Sequence, residues 1–169
     1  VGDRSGTVFQ VRDGRATVFA TLPSSVAAFH LAMAPDDTLY VTAPTLGTYD
    51  PIYRVDREGH VTAVDAPLGR PQGIACGPDG RIYEADALAG ASGIYRLRSD
   101  DTLELMVSGE ALVGVCLGEG VAHLRLGVDS LQKAAAEPLP AGADAGDFGQ
   151  IRPDAENHFS IRLQVHYGG

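Results

Sequence analysis

Asp86 closes the run Arg81–Asp86 (RIYEAD), where a strand-like stretch gives way to a loop of small residues reaching Ser92. A carboxylate at such a junction can serve as a ligand or general base, or it can cap the loop by accepting backbone N–H bonds. Two residues earlier, Glu84 stands mid-strand, where a buried and unpaired carboxylate would be costly. It could point outward, pair with Arg81 or Arg96, or line a channel. His30, between Phe29 and Leu31, could act as a base, a ligand or a hydrogen-bond donor, or fill a structural role. Arg70, beside Gln72, could grip an anionic ligand through its planar fork or simply remain a solvated loop cation. Tyr49 and Asp50 read as loop-packing residues. His158 and His166 lie too far apart on one strand to chelate together. Nucleophile-elbow, zinc-protease, P-loop and EF-hand patterns are all missing from the sequence.

The elements that must hold these residues recur along the chain. Leu31–Val41 (LAMAPDDTLYV) returns as Ile74–Glu84 (IACGPDGRIYE), with Ala32 and Ala75 separated by 43 positions. Ile52–Val55 (IYRV) returns as Ile94–Leu97 (IYRL), and Val8–Val11 (VFQV) precedes both. A period in the low forties built of short strands and Gly/Asp turns marks β-propeller blades. The expected fold is therefore all-β, with about three four-stranded blades. Residues 29–67 and 72–109 each read as a whole blade, with turns at Pro35-Asp36-Asp37, Arg57-Glu58-Gly59, Pro78-Asp79-Gly80 and Ser99–Asp101. Residues 1–22 carry only the outer two strands of a blade, around an Asp13-Gly14 turn. Residues 113–133 carry only the inner two.

Three blades are too few for a ring of ordinary curvature, because propellers hold about four to eight. Either the ring is a partial six-bladed one, as in a piece of a longer propeller, or a second chain completes it as a homodimer. In the second case the complementary end fragments would pair between chains and remove exposed edges. Residues 134–169 leave the repeat: an Ala/Gly/Pro-rich linker leads to Phe159–Tyr167 (FSIRLQVHY). Its strict alternation predicts a half-buried strand, which could cap an open sheet edge or belong to a foreign segment. Asp129–Glu137 reads equally as helical turn or strand.

The totals narrow the function classes. A chain of 169 residues with 44% hydrophobic content can bury a core. A net charge of −9 argues against nucleic acid, which needs clustered Lys and Arg. No apolar run of membrane-spanning length occurs, so the protein is expected to be soluble, with no compartment indicated. Cys76 and Cys116 sit in apolar runs and read as buried free thiols. With no CxxC spacing, a cysteine zinc site is not expected.

Taken together, Gly69–Gly80 (GRPQGIACGPDG), Arg81–Asp86, Leu39–Pro44 (LYVTAP) and Ile52–Asp56 (IYRVD) resemble the gluconolactonase/regucalcin-like (senescence-marker-type) propellers and the related NHL-repeat proteins. The resemblance covers roughly three quarters of the chain, from Gly2 to about Leu131. In a four-stranded meander the loops entering the first strand and leaving the second emerge on one face, which gathers Ser24–His30, Leu46–Asp50, Gly69–Gln72, Asp86–Ser92 and Glu110–Val113. Loops at one end of a rigid scaffold are where ligands bind. The resemblance implies a divalent cation, calcium or zinc, at that mouth, polarising a lactone carbonyl and readying a water. Gln72 in Pro71-Gln72-Gly73 holds the matching ligand position, with Asp86 as the nearby carboxylate. The other matching positions are Phe29, Val113 and Ala43, and the family's early-blade glutamate has no counterpart.

Two functions follow. The first is a recognition module with no cofactor, binding a small molecule or a protein partner across the loop face through His30, Arg70, Gln72 and Asp86. The second is a metal-dependent lactone or ester hydrolase using Gln72 and Asp86 as ligands and Asp86 in catalysis.

Overall fold

The computed structural model describes residues 1–27, 29–47, 49–77, 79–87, 92–109, 112–118, 121–126, 152–153 and 159–164. Among them every regular element is a strand. Strands β1 (Thr7–Arg12) and β2 (Arg15–Thr21) form a hairpin. The second sheet is an antiparallel meander of β3 (His30–Met33), β4 (Leu39–Thr42), β5 (Asp50–Val55) and β6 (Val61–Leu68). The third repeats it with β7 (Pro71–Cys76), β8 (Ile82–Asp86), β9 (Gly93–Leu97) and β10 (Leu103–Ser108).

The fourth sheet is built differently. Strands β11 (Leu112–Gly118) and β12 (Val121–Leu126) pair as the inner two. The outer positions are filled by β14 (Phe159–Gln164), which pairs with β12, and by β13 (Arg152–Pro153) beyond it. Of the two sequence readings for the C-terminal strand, the structure takes the edge cap. The place beside β12 that would have received a partner's N-terminal strands is thus occupied. On the hairpin, residues 1–3 run along the free edge of β1: Phe9 N–H donates to the Val1 carbonyl over 2.7 Å and Asp3 N–H to that of Thr7 over 2.8 Å. The readings of Ala134–Asp147 as linker and of Asp129–Glu137 as helical turn or strand lie outside the described residues.

The turns explain the acidic, Gly-rich punctuation. Asp36, Asp56, Asp79 and Asp100 each accept a bond from the backbone N–H two residues on, over 3.0–3.1 Å. Asp13, Asp37 and Asp101 take positive φ angles (50°, 65° and 64°), a conformation that Asp tolerates better than bulkier residues. These carboxylates make turns.

Apolar residues alternate along the strands and fill three layers between successive sheets. Val8, Ala20 and Leu22 of the hairpin segment pack on Leu39, Val41 and Val55. Ala32, Ile52, Val64 and Leu68 meet Ile74, Ile82 and Leu97. Tyr83, Ala85 and Ile94 meet Leu112 and Val115. Gly73 is required where β7 and β11 approach most closely, since a Cβ there would lie 2.6 Å from the Gly114 Cα. Side-by-side sheets sharing inter-sheet cores are propeller architecture, here as a partial ring. Both cysteines are free, as expected, but neither is fully buried: Cys76 is partly covered, and Cys116 is exposed among the described residues.

Candidate functional site at the loop end of the second and third blades

The predicted site residues come from both sides of one blade–blade interface. On β4, Tyr40 packs toward the third sheet, so alternation turns Thr42 the same way, and His30 lies directly opposite Thr42. On β8, Ile82 faces the second sheet, so Glu84 and Asp86 share that side. Register places Pro71 opposite Asp86, with an irregularity between Pro71 and Ile74 that lifts Gln72 out of regular pairing. His30 and Thr42 are thereby turned toward the strand-end segment carrying Arg70, Gln72, Glu84 and Asp86.

Hydrogen bonds define each role. Asp86 is buried, and its two oxygens accept from the Gly69 N–H (3.1 Å) and the Arg70 N–H (2.6 Å). Ala87 N–H returns to the Arg70 carbonyl over 3.2 Å. The carboxylate thus clasps the loop entering the third blade. Gln72 is held through its backbone. Its N–H donates to Glu84 Oε1 (3.2 Å), and its carbonyl accepts from Thr42 Oγ1 (2.5 Å) across the blade interface. Thr42, fully buried, is the member of this cluster that sequence reasoning passed over; its signal was its place opposite His30.

Glu84 takes neither the outward nor the arginine-paired arrangement open to it in sequence. It does not point outward, being 1% exposed. Arg81 pairs instead with Asp79, and Arg96 with Glu104. Only the Gln72 amide reaches Oε1, and Oε2 has no hydrogen-bond partner among the described residues. Burial, reinforced by the charge of Asp86, pushes the Glu84 carboxyl well above the ordinary 4.5. His30 is half-buried, and the same desolvation lowers its pKa, which keeps the imidazole neutral near pH 7.

Asp50 packs its loop as expected, accepting from the Thr45 amide (2.9 Å) and hydroxyl (2.6 Å). Tyr49 does not, standing exposed. At the opposite end of the blades, Asp56, Glu58 and His60 bring potential metal-ligand atoms within 4.8 Å of one another. All three are exposed, and Asp56 is already engaged by the Glu58 and His60 amides and the His60 ring. This is another turn of the kind described above.

The donor set at the positions matched to a lactonase metal centre does not suit a hard dication. Phe29 and Ala43 are buried in the apolar layer beside the hairpin. Val113 offers no oxygen, and Gln72 offers one neutral oxygen where such sites need several, with carboxylates among them.

No protein-family model matches this sequence, and no curated protein does. Solved structures match with high probability. Regucalcin of Agrobacterium tumefaciens, described as calcium-binding, superposes with a TM-score of 0.59 at 14% identity, covering 94% of this chain and 52% of that one. The fold is that of the gluconolactonase-like β-propellers. A gluconolactonase of Xanthomonas campestris gives a TM-score of 0.53 at 16% identity, over 95% of this chain and 56% of that one. Virginiamycin B lyase of Staphylococcus aureus gives 0.55 at 13% identity, over 96% and 60%. At these identities the likeness is one of fold, and the chain spans a little more than half the length of each of these three propellers.

Proposed function

We propose that the chain supplies the binding face of a propeller recognition module, taking a small anionic molecule at the loop end of the second and third blades. The observation that carries this reading is the state of Asp86. Both of its oxygens are committed to the Gly69 and Arg70 amides, so it shapes the loop rather than standing free as ligand or base. Arg70, beside that clasp and partly exposed, is the cation available to a carboxylate or phosphate on the ligand. His30, kept neutral by burial, and the Gln72 side chain are the flanking polar contacts.

One observation favours the alternative, a metal-dependent lactone hydrolase: Glu84 Oε2, close to Asp86 and without a hydrogen-bond partner among the described residues, is a carboxyl oxygen that a cation could take. Calorimetry with gluconate, calcium and zinc, run beside a gluconolactone hydrolysis assay, separates the readings. The recognition reading expects gluconate binding that Arg70→Ala removes, with no metal-dependent turnover. Turnover that requires calcium or zinc and disappears in Asp86→Asn would refute it in favour of the hydrolase.

A further inference from the structure

Residues 29–109, the second and third blades, carry six arginines and no lysine. Five of the six have a carboxylate partner. Arg54 pairs with Asp101, Arg57 with Asp37, Arg81 with Asp79, and both Arg96 and Arg98 with Glu104. Arg70 is the exception: it is partly exposed and has no ion pair among the described residues. Even Asp86, the acid beside it, takes the Arg70 backbone N–H rather than the guanidinium.

Sheet register puts an exposed aromatic next to this cation. The pairing of β5 with β6 ends with Asp50 opposite Leu68, so Tyr49 stands one residue before that pair and Arg70 two residues after it. Paired Cα atoms in such a ladder are about 4.5–5.5 Å apart, which puts both long side chains within reach of one small molecule. The loop from β4 to β5 and the link from β6 to β7 leave the meander at the same end, and a buried carboxylate holds each. Asp50 accepts from the Thr45 amide and hydroxyl, closing the loop that carries Leu46 and Tyr49. Asp86 accepts from the Gly69 and Arg70 amides. On the closed loop Leu46 is 85% exposed and Tyr49 62%. The loop is thus fixed with its large apolar side chains in water, beside the unpaired arginine.

We propose that the anion taken at the loop end is an aromatic carboxylate, its acid group on Arg70 and its ring on Tyr49, with Leu46 as further apolar surface. This assignment rests on Arg70 as the anion-binding group of the proposed recognition site and adds the other half of the ligand. The planar guanidinium suits a carboxylate in a bidentate pair. A phenol ring suits another flat ring, which it meets by offset stacking or edge to face. Because Asp50 and Asp86 already hold both segments, little ordering is left to oppose binding. A polyhydroxylated acid such as gluconate meets Arg70 equally well but gains nothing from the Tyr49 ring face.

The test is calorimetry on the whole chain with 2-naphthoate, cyclohexanecarboxylate and gluconate. 2-Naphthoate is expected to bind about tenfold more tightly than gluconate, with cyclohexanecarboxylate, apolar but not flat, between them. Tyr49→Ala should weaken naphthoate about five- to tenfold more than it weakens gluconate, and Tyr49→Phe should keep the naphthoate affinity. Arg70→Ala should weaken all three acids by a similar factor. Tyr49 is already exposed, so circular dichroism and melting of Tyr49→Ala should match the wild type and a lost affinity reads as a lost contact. Gluconate binding that needs Arg70, with naphthoate no tighter or Tyr49→Ala without selective effect, overturns the aromatic assignment and leaves the anion site standing. Binding of none of the three acids overturns the anion site, and the assignment falls with it.

Discussion

Glu84→Gln should stabilise the protein in a pH-dependent way. The wild-type carboxyl is 1% exposed, accepts one backbone N–H and has no cation opposite it among the described residues. Its pKa is therefore raised in the fold from the ordinary 4.5, with burial as the main cause and Asp86 as the second. Below pH 4.5 the group is neutral in both states, and its contribution to stability is intact. Above that, folding must take up a proton. Wild-type stability then falls by about 1.4 kcal/mol per pH unit until the folded-state pKa is passed, where the loss levels off. Glutamine keeps the Oε1 acceptor for Gln72 and cannot ionise. The difference between variant and wild type should be near zero at pH 4 and grow with that one-proton slope as the pH rises above 4.5, levelling off where the folded-state carboxyl ionises. Urea denaturation at half-unit pH intervals reads it directly. At pH 7 the variant should also melt higher, by about 2–4 °C for each kcal/mol recovered. Parallel stability curves from pH 4 to 8 would mean that Glu84 finds a partner or solvent, and the reasoning would be wrong.

Asp86→Ala strips the acceptors from two loop amides and should cost about 2 kcal/mol in denaturation, with faster hydrogen exchange at Gly69 and Arg70. Unchanged exchange there would show that the clasp does not hold the loop. Thr42→Val removes the hydroxyl bonded to the Gln72 carbonyl with little change of shape, and should cost about 1 kcal/mol. Gly73→Ala must push β7 from β11, since its Cβ would sit 2.6 Å from the Gly114 Cα, and should lower stability by about 1–3 kcal/mol. The Arg54–Asp101 pair, partly exposed on both sides, should show a coupling of only about 0.5–1 kcal/mol in a double-mutant cycle, shrinking in salt.

The amino-acid sequence by itself determined the blades. Proline, aspartate and glycine at the turns, with β-branched and aromatic runs between them, act over a few residues, so the second and third sheets were legible strand by strand from Leu31 to Val107. It also showed which residues lie near the loop end, because position in a meander follows from strand order. Only the tertiary structure decided what those residues do. Asp86 is a clasp because the Gly69–Arg70 amides fold back onto it, and Glu84 has no cation partner among the described residues, with Arg81 paired to Asp79 and Arg96 to Glu104. The pairing of β14 with β12 spans more than thirty residues that obey no repeat, and its alternation could report a face but not a neighbour. Turn chemistry is written in adjacent residues, whereas burial and partner choice depend on which distant surfaces the stacked sheets bring together.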